Sequence, residues 1–167
     1  ALMTAVTCIL APLSIPLPFS PVPISLTNLV IFISVFILGM KDATISFLIY
    51  LLLGAVGLPV FASFHAGLSV LAGPTGGYLI GFIFLALIQG FAMKYFDRKL
   101  IPTIIGMLIG MAVCYIFGTV WLAKLMSLSF KEGLFMGVIP YLPGDAVKII
   151  IAVIVGPKLY AATKKVR

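Results

Sequence analysis

Two long stretches without a charged side chain dominate this sequence. No Asp, Glu, Lys or Arg occurs in residues 1–40 or in residues 43–93. A helix needs about 20 apolar residues to cross a hydrocarbon core of about 30 Å, so the longer stretch has room for more than one crossing. Only 9% of the 167 residues are charged and 63% are hydrophobic, whereas a soluble domain carries roughly 25% charged residues. The composition therefore predicts an integral membrane protein.

The apolar stretches predict helices and not the strands of a membrane barrel. Barrel strands alternate polar and apolar residues over about ten positions, whereas residues 29–33 read Leu-Val-Ile-Phe-Ile without alternation. Charged residues and Pro/Gly breaks divide the chain into six predicted spans. These spans cover residues 1–15, 25–39, 43–60, 75–95, 101–125 and 142–162. We therefore predict a single domain, residues 1–167, with an all-α fold of six transmembrane helices.

Two connections between these spans are unusual. Residues 12–23 are rich in proline, which removes a backbone donor and ends a helix. Residues 58–61, which lead into the connection 61–74, read Leu-Pro-Val-Phe, and this apolar content favours a loop packed into the bundle. Irregular backbone at membrane depth is tolerated where it lines a cavity or is buried in protein. We therefore expect the connection 61–74 to be tucked into the bundle, and an ordinary surface loop is the alternative.

The basic residues predict the orientation in the membrane. Cytoplasmic connections carry an excess of Lys and Arg. The connections after spans two and four and the C-terminal tail hold eight of the eleven basic residues: Lys41, Lys94, Arg98, Lys99, Lys158, Lys164, Lys165 and Arg167. The connection after span five holds Lys124 and Lys131. This asymmetry predicts that both termini are cytoplasmic and that the proline-rich connection, the connection 61–74 and the start of span six face outward. The net charge of +7 does not indicate nucleic-acid binding, because the basic residues lie in short connections.

Asp145 and Lys148 are the charged residues that most directly suggest a function. Pro143 precedes Asp145, and the apolar run 149–155 follows Lys148. Proline suits a helix start, and a carboxylate is favoured in the first helical turn. Two residues three apart lie on one helix face, so the two side chains can act together. A structural ion pair that anchors the helix end is the alternative. We favour a ligand clamp, because ionisable residues inside a span are costly and mark functional sites.

The glycine-rich segment 73–81 opens the fourth span. Gly77 and Gly81 indicate close helix packing, and Thr75 and Tyr78 are candidate ligand contacts. The sequence contains no G-x-x-x-x-G-K-[ST] motif, so a nucleotide-binding P-loop is not expected. Gly106 and Gly110 in the fifth span indicate similar packing.

The sequence lacks the residue patterns of catalysis and of metal binding. His65 is the only histidine and has no Cys, Asp or Glu beside it, so a metal site is not expected. No nucleophile–base pair and no chain of intramembrane carboxylates is apparent. We therefore predict a protein that is not an enzyme, needs no cofactor and depends on other subunits for energy.

Several segments resemble the BioY family, the biotin-specific S component of energy-coupling factor (ECF) transporters. They are residues 21–26 (PVPISL), 51–62 (LLLGAVGLPVFA), 71–82 (LAGPTGGYLIGF) and 143–148 (PGDAVK). The resemblance implies a six-helix bundle in a bacterial inner membrane, with an outward-facing pocket that captures biotin from outside with high affinity. It also implies a complex with a transmembrane coupling protein and two ATPase subunits. Ala1 and Ala5 match the Ala-x-x-x-Ala face that contacts the coupling protein in S components. The chain departs from the family pattern at Thr27-Asn28 and at residues 63–67, where the family has a glycine-rich loop.

Biotin fits the chemistry of the candidate residues. Its ureido ring has two N–H donors and one carbonyl acceptor, so we expect Asp145 to accept from the N–H groups and Lys148 to donate to a polar ligand atom. The secondary candidate contacts are Tyr78, Thr75, Thr27, Asn28 and Ser63. The valerate carboxylate has two candidate partners: one of these secondary contacts, or backbone N–H groups. Three alternatives remain: an S component for another vitamin, a self-sufficient small secondary transporter or channel, and a membrane enzyme.

Overall fold

The computed structural model describes residues 1–164, most of them in helices. Lys165 and Arg167, which contribute to the orientation prediction, lie outside the described residues. Eight α-helices are present in the described part: α1 Leu2–Leu10, α2 Thr27–Leu38, α3 Met40–Ala55, α4 Leu68–Ala72, α5 Gly76–Tyr95, α6 Leu100–Met126, α7 Phe130–Gly137 and α8 Leu142–Lys164. Two strands, β1 Ser14–Leu17 and β2 Ser20–Ser25, lie between α1 and α2. Single 3₁₀ turns occupy Ala62–Phe64 and Ile139–Tyr141.

The prediction of an all-α fold is wrong at the proline-rich segment. Strands β1 and β2 form an antiparallel hairpin in which Ser14 lies opposite Ser25 and Leu17 lies opposite Ser20. Helix α1 ends at Leu10 and not at residue 15. Proline cannot donate a backbone hydrogen bond and clashes with the preceding helical turn, but it is tolerated on the edges of a sheet. A two-stranded hairpin has only edge strands, so it accommodates the prolines that a helix would exclude.

Helices occur at all six predicted positions, but they differ in length. Three helical segments are long and apolar enough to cross a membrane: Gly76–Tyr95, Leu100–Met126 and Phe130–Lys164, the last of which includes α7 and α8. Helices α1, α2 and α3 have 9, 12 and 16 residues, fewer than the roughly 20 of a simple crossing. Helix α3 ends before Gly57, whose φ of +111° is incompatible with a continued right-handed helix. The chain is thus a mainly helical membrane protein, and the count of six crossings stays a prediction.

Helices α5 and α6 pack closely because glycines remove side chains from their contact. A Cβ atom added at Gly81 would lie 2.8 Å from the Cα atom of Cys114. One added at Gly110 would lie 3.1 Å from the Cα atom of Leu85. The packing role predicted for the glycines of these two spans is therefore confirmed. This contact fixes the positions of the α5 and α6 side chains that line the cavity described below.

The connection 61–74 is buried at its start, as predicted. Phe61 is 1% exposed, and its ring packs against Tyr50 with 5.6 Å between ring centroids. Gly54 makes room for it, since a side chain there would overlap the Phe61 ring. Phe64, three residues further on, is 63% exposed. The connection therefore enters the core through Phe61 and returns to the surface at Phe64.

Replacing Gly81 by alanine is expected to destabilise the protein, because the added methyl group would push α6 away from α5. Overpacking of this kind costs about 1–3 kcal/mol, which thermal unfolding in detergent would detect as a lower Tm. Gly144→Ala is the matched control, because a Cβ atom added there meets nothing within 4 Å. Equal Tm values for the two variants would contradict the packing assigned to Gly81.

Candidate functional site

A cavity of about 470 Å³ lies between the hairpin, the connection 61–74 and helices α2, α3, α5, α6 and α8. Its volume is in the range of small-molecule pockets, about 300–1,000 Å³. The seven ligand-contact residues predicted from the sequence all line it: Thr27, Asn28, Ser63, Thr75, Tyr78, Asp145 and Lys148. His65 and Ser69 line it where it reaches the surface, since both are exposed. The fold therefore brings the candidate residues to one site, while their contacts with a ligand stay a prediction.

Asp145 and Lys148 form an ion pair inside this cavity. Asp145 lies in the first turn of α8, and Lys148 lies one turn further on the same face. The Lys148 Nζ atom is 2.9 Å from the Asp145 Oδ1 atom, and the two residues are 7% and 8% exposed. The buried charges are thus paired, as the spacing predicts.

Two further side chains donate hydrogen bonds to the Asp145 carboxylate. Asn28, at the start of α2, donates from Nδ2 to Oδ1 over 2.7 Å. Tyr115, in the middle of α6, donates from its hydroxyl to Oδ2. Sequence reasoning included Asn28 but missed Tyr115. A tyrosine in an apolar span was a usable signal, because a buried phenol requires a hydrogen-bond partner, but the sequence did not indicate which one.

Lys148 has a second partner in the hairpin. Its Nζ atom donates to the backbone carbonyl of Ser25 over 2.7 Å, at the end of β2. The Ser25 hydroxyl in turn donates to Thr27 Oγ1 over 3.0 Å. The ammonium group therefore links α8 to the connection between β2 and α2.

Some donor and acceptor positions of this network have no partner within it. The network consists of four side chains: Asp145, Lys148, Asn28 and Tyr115. A carboxylate has about four acceptor positions, and three donors reach Asp145. An ammonium has three donors, and Lys148 uses two of them. The second N–H of the Asn28 amide makes no hydrogen bond to the described residues. Asp145 can thus accept one further hydrogen bond, and Lys148 and Asn28 can each donate one. The formal charge of the network is zero.

The remaining predicted residues contribute mainly to the cavity wall. Tyr78 donates its hydroxyl to the Gly137 carbonyl over 3.0 Å, which ties α5 to the end of α7. The Thr75 hydroxyl is 3.4 Å from the Val70 carbonyl, and the Ser63 hydroxyl is 2.9 Å from the Ser14 hydroxyl. These three hydroxyl groups are already engaged, so they are less available to a ligand than the network groups. The apolar side chains that complete the wall include Val22, Tyr50, Phe61, Phe82 and Met111.

The partner-contact residues predicted on α1 lie on an exposed face. Ala1 and Ala5 are both exposed, as are Leu2 and Ile9, at 78% and 67%. The described residues contain no group of three His, Cys, Asp or Glu side chains that could hold a metal ion.

Comparison with known proteins assigns the chain to a family. The model of the BioY family matches residues 1–165. A probable biotin transporter BioY of Pyrococcus horikoshii is 35% identical over 166 residues, which cover 98% of this chain and 94% of the relative. The biotin transporter BioY of Thermotoga maritima is 35% identical over 145 residues, 87% of this chain and 85% of the relative.

A solved structure agrees with these relatives. The crystal structure of the S-component for biotin from an ECF-type ABC transporter matches with a TM-score of 0.88 and 33% identity. The match covers 95% of this chain and 87% of the other. The relatives are named as transporters, which confirms the prediction that the protein is not an enzyme. The chain is a membrane protein that belongs to the BioY family.

Proposed function

We propose that this chain is the substrate-capture subunit of an ECF transporter, which binds biotin from outside the cell and delivers it inward with an ATP-driven module. The observation that carries the proposal is the buried network of Asp145, Lys148, Asn28 and Tyr115 in a cavity of about 470 Å³. The names of the relatives and of the matching S-component support biotin as the ligand.

The unused hydrogen-bonding capacity of the network complements a ureido group. One ureido N–H can donate to the free acceptor position of Asp145. The ureido carbonyl can accept from Lys148, from the second N–H of Asn28, or from both. Aromatic and aliphatic side chains of the wall then cover the apolar thioether ring, as in small-molecule pockets generally. The ligand would enter with its head group first, because the network lies at the buried end of the cavity.

The zero formal charge of the network favours biotin over a vitamin with a charged head group. Asp145 and Lys148 neutralise each other, so a cationic ring such as that of thiamine would bring an uncompensated charge into a buried site. Burial of an unpaired charge is strongly unfavourable. The ureido group is neutral and polar, and it adds hydrogen bonds without adding charge.

The proposal extends to the topology of the whole domain. In a single six-helix transmembrane domain, the short helices α1, α2 and α3 would cross together with α5, α6 and α8. Both termini would lie in the cytoplasm of a bacterial cell, and the cavity would open outward. The distribution of basic residues supports this orientation. Energy would come from a transmembrane coupling protein and two ATPase subunits, and Ala1 and Ala5 would contact the coupling protein.

Asp145→Asn is expected to weaken biotin binding at least tenfold. The change removes the charge that pairs with Lys148, and stranding a buried charged partner costs about 2–5 kcal/mol. Isothermal titration of the purified protein in detergent with biotin measures the effect. Asp42→Asn is the matched control, because Asp42 is an exposed carboxylate outside the cavity lining. Unchanged affinity of Asp145→Asn in a protein that keeps its Tm would refute the role of the network.

Tyr115→Phe removes one hydroxyl group and keeps the ring. Hydrogen bonds to charged groups contribute about 1.5–3 kcal/mol, so we expect biotin affinity to fall by about tenfold or more. Tyr95→Phe serves as the control, because Tyr95 is 73% exposed. If both variants bind biotin as tightly as the unaltered protein, Tyr115 does not help to hold the carboxylate in its binding position.

Replacing Ala1 and Ala5 by tryptophan is expected to abolish ATP-driven biotin uptake and to leave biotin binding unchanged. The large side chains would prevent close approach of another helix to α1, whereas the cavity lies elsewhere. Uptake is measured in cells that coexpress the ECF module, and binding is measured on the purified protein. Ala162→Trp is the control, on the exposed end of α8. Normal uptake by the α1 variant would show that the coupling protein binds another surface.

A further inference from the structure

The valerate carboxylate of the proposed ligand is an anion, and the buried network has no free charge to bind it. Lys148 is already paired with Asp145 and bonded to the Ser25 carbonyl, so the network has no uncompensated positive charge. A ligand that enters with its ureido ring first places its carboxylate toward the exposed rim of the cavity. This step rests on the proposed function.

The exposed rim contains one side chain that can carry a positive charge. Among the described residues that line the cavity, only Lys148 and His65 can be cationic. Lys148 is 8% exposed, whereas His65 is exposed and lies on the connection 61–74. The cavity lining therefore contains a buried lysine that is paired with Asp145 and a histidine at the rim that makes no salt bridge with the described residues.

Local hydrogen bonds hold the His65 ring in position. Its Nδ1 atom lies 2.9 Å from the Ala62 carbonyl. A carbonyl can only accept, so Nδ1 carries the proton and Nε2 is the nitrogen left for a ligand. The Phe61 N–H also donates to the His65 carbonyl over 3.1 Å, which joins the residue to the buried start of the connection. The side chain is thus held in place before a ligand binds.

We propose that His65 binds the carboxylate of the ligand and makes the site selective for the free acid. Histidine is a side chain that can change its charge near neutral pH. As an imidazolium, its Nε2–H group donates a charge-assisted hydrogen bond to a carboxylate oxygen. The network at the buried end recognises the head group, and His65 recognises the end of the tail. The head group and the tail carboxylate of one ligand are then bound by separate residues.

The test compares biotin with biotin methyl ester, which keeps the ureido ring and lacks the anionic carboxylate. Both ligands are titrated into the purified full chain and into two variants, His65→Gln and His65→Lys. Exposed ion pairs contribute modestly, so His65→Gln should bind biotin about two- to fivefold more weakly and bind the ester as the unaltered protein does. His65→Lys places a permanent positive charge at the rim and should retain the preference for biotin over the ester.

An equal effect of His65→Gln on both ligands, or none on either, would overturn the role of His65 and leave the proposed function standing. Loss of the preference in His65→Lys would also count against a charge interaction. If the unaltered chain binds neither biotin nor the ester, the proposed function itself is overturned. The role proposed for His65 is then overturned as well. The two failures are therefore distinguishable in one set of titrations.

Discussion

The buried ion pair between Asp145 and Lys148 determines where the surrounding elements meet. Two charges removed from water are tolerated only with close pairing and additional hydrogen bonds. The pair is 2.9 Å apart, and its additional bonds come from Asn28 in α2, Tyr115 in α6 and the Ser25 carbonyl at the end of β2. Three elements that are distant in sequence must therefore contact the first turns of α8. The cavity is the space that these elements leave between them.

The proline-rich hairpin also helps to satisfy the buried ion pair. In a helix interior, the Ser25 carbonyl would accept from the backbone N–H four residues later. At the end of a strand it accepts from Lys148 over 2.7 Å. Prolines exclude a helix over this segment, and pairing of β1 with β2 satisfies backbone groups that would otherwise be costly to bury. The segment that interrupts the helical bundle therefore supplies one of the two partners of the Lys148 ammonium group, the Ser25 carbonyl.

The sequence predicts part of this structure well and part of it poorly, for physical reasons. Helices α5, α6 and α8 follow from long apolar runs, and the Asp145–Lys148 pair follows from helical spacing between charges in such a run. The hairpin was missed because proline marks the end of a helix without specifying what replaces it. Tyr115 and the Ser25 carbonyl were missed because their partners lie 30 and 123 residues away. Local patterns carry no information about contacts of that range. The resemblance to a family indicated a mainly helical membrane protein, and that coarser prediction is confirmed.

The two ends of the cavity differ in how they hold their polar groups. At the buried end, the ion pair and its partners are fixed before a ligand arrives, so binding there loses little conformational entropy. At the rim, the backbone passes through Ser63 and Phe64 with φ values of 58° and 59°, a strained conformation that costs about 1–3 kcal/mol for residues other than glycine. Bonds from Ser63 to the Pro12 carbonyl and the Ser14 hydroxyl offset this strain. Glycine would adopt the same backbone conformation without this strain. The rim is thus held by hydrogen bonds across a strained backbone, whereas the buried end is held by paired charges. Recognition of the head group therefore depends on the buried end.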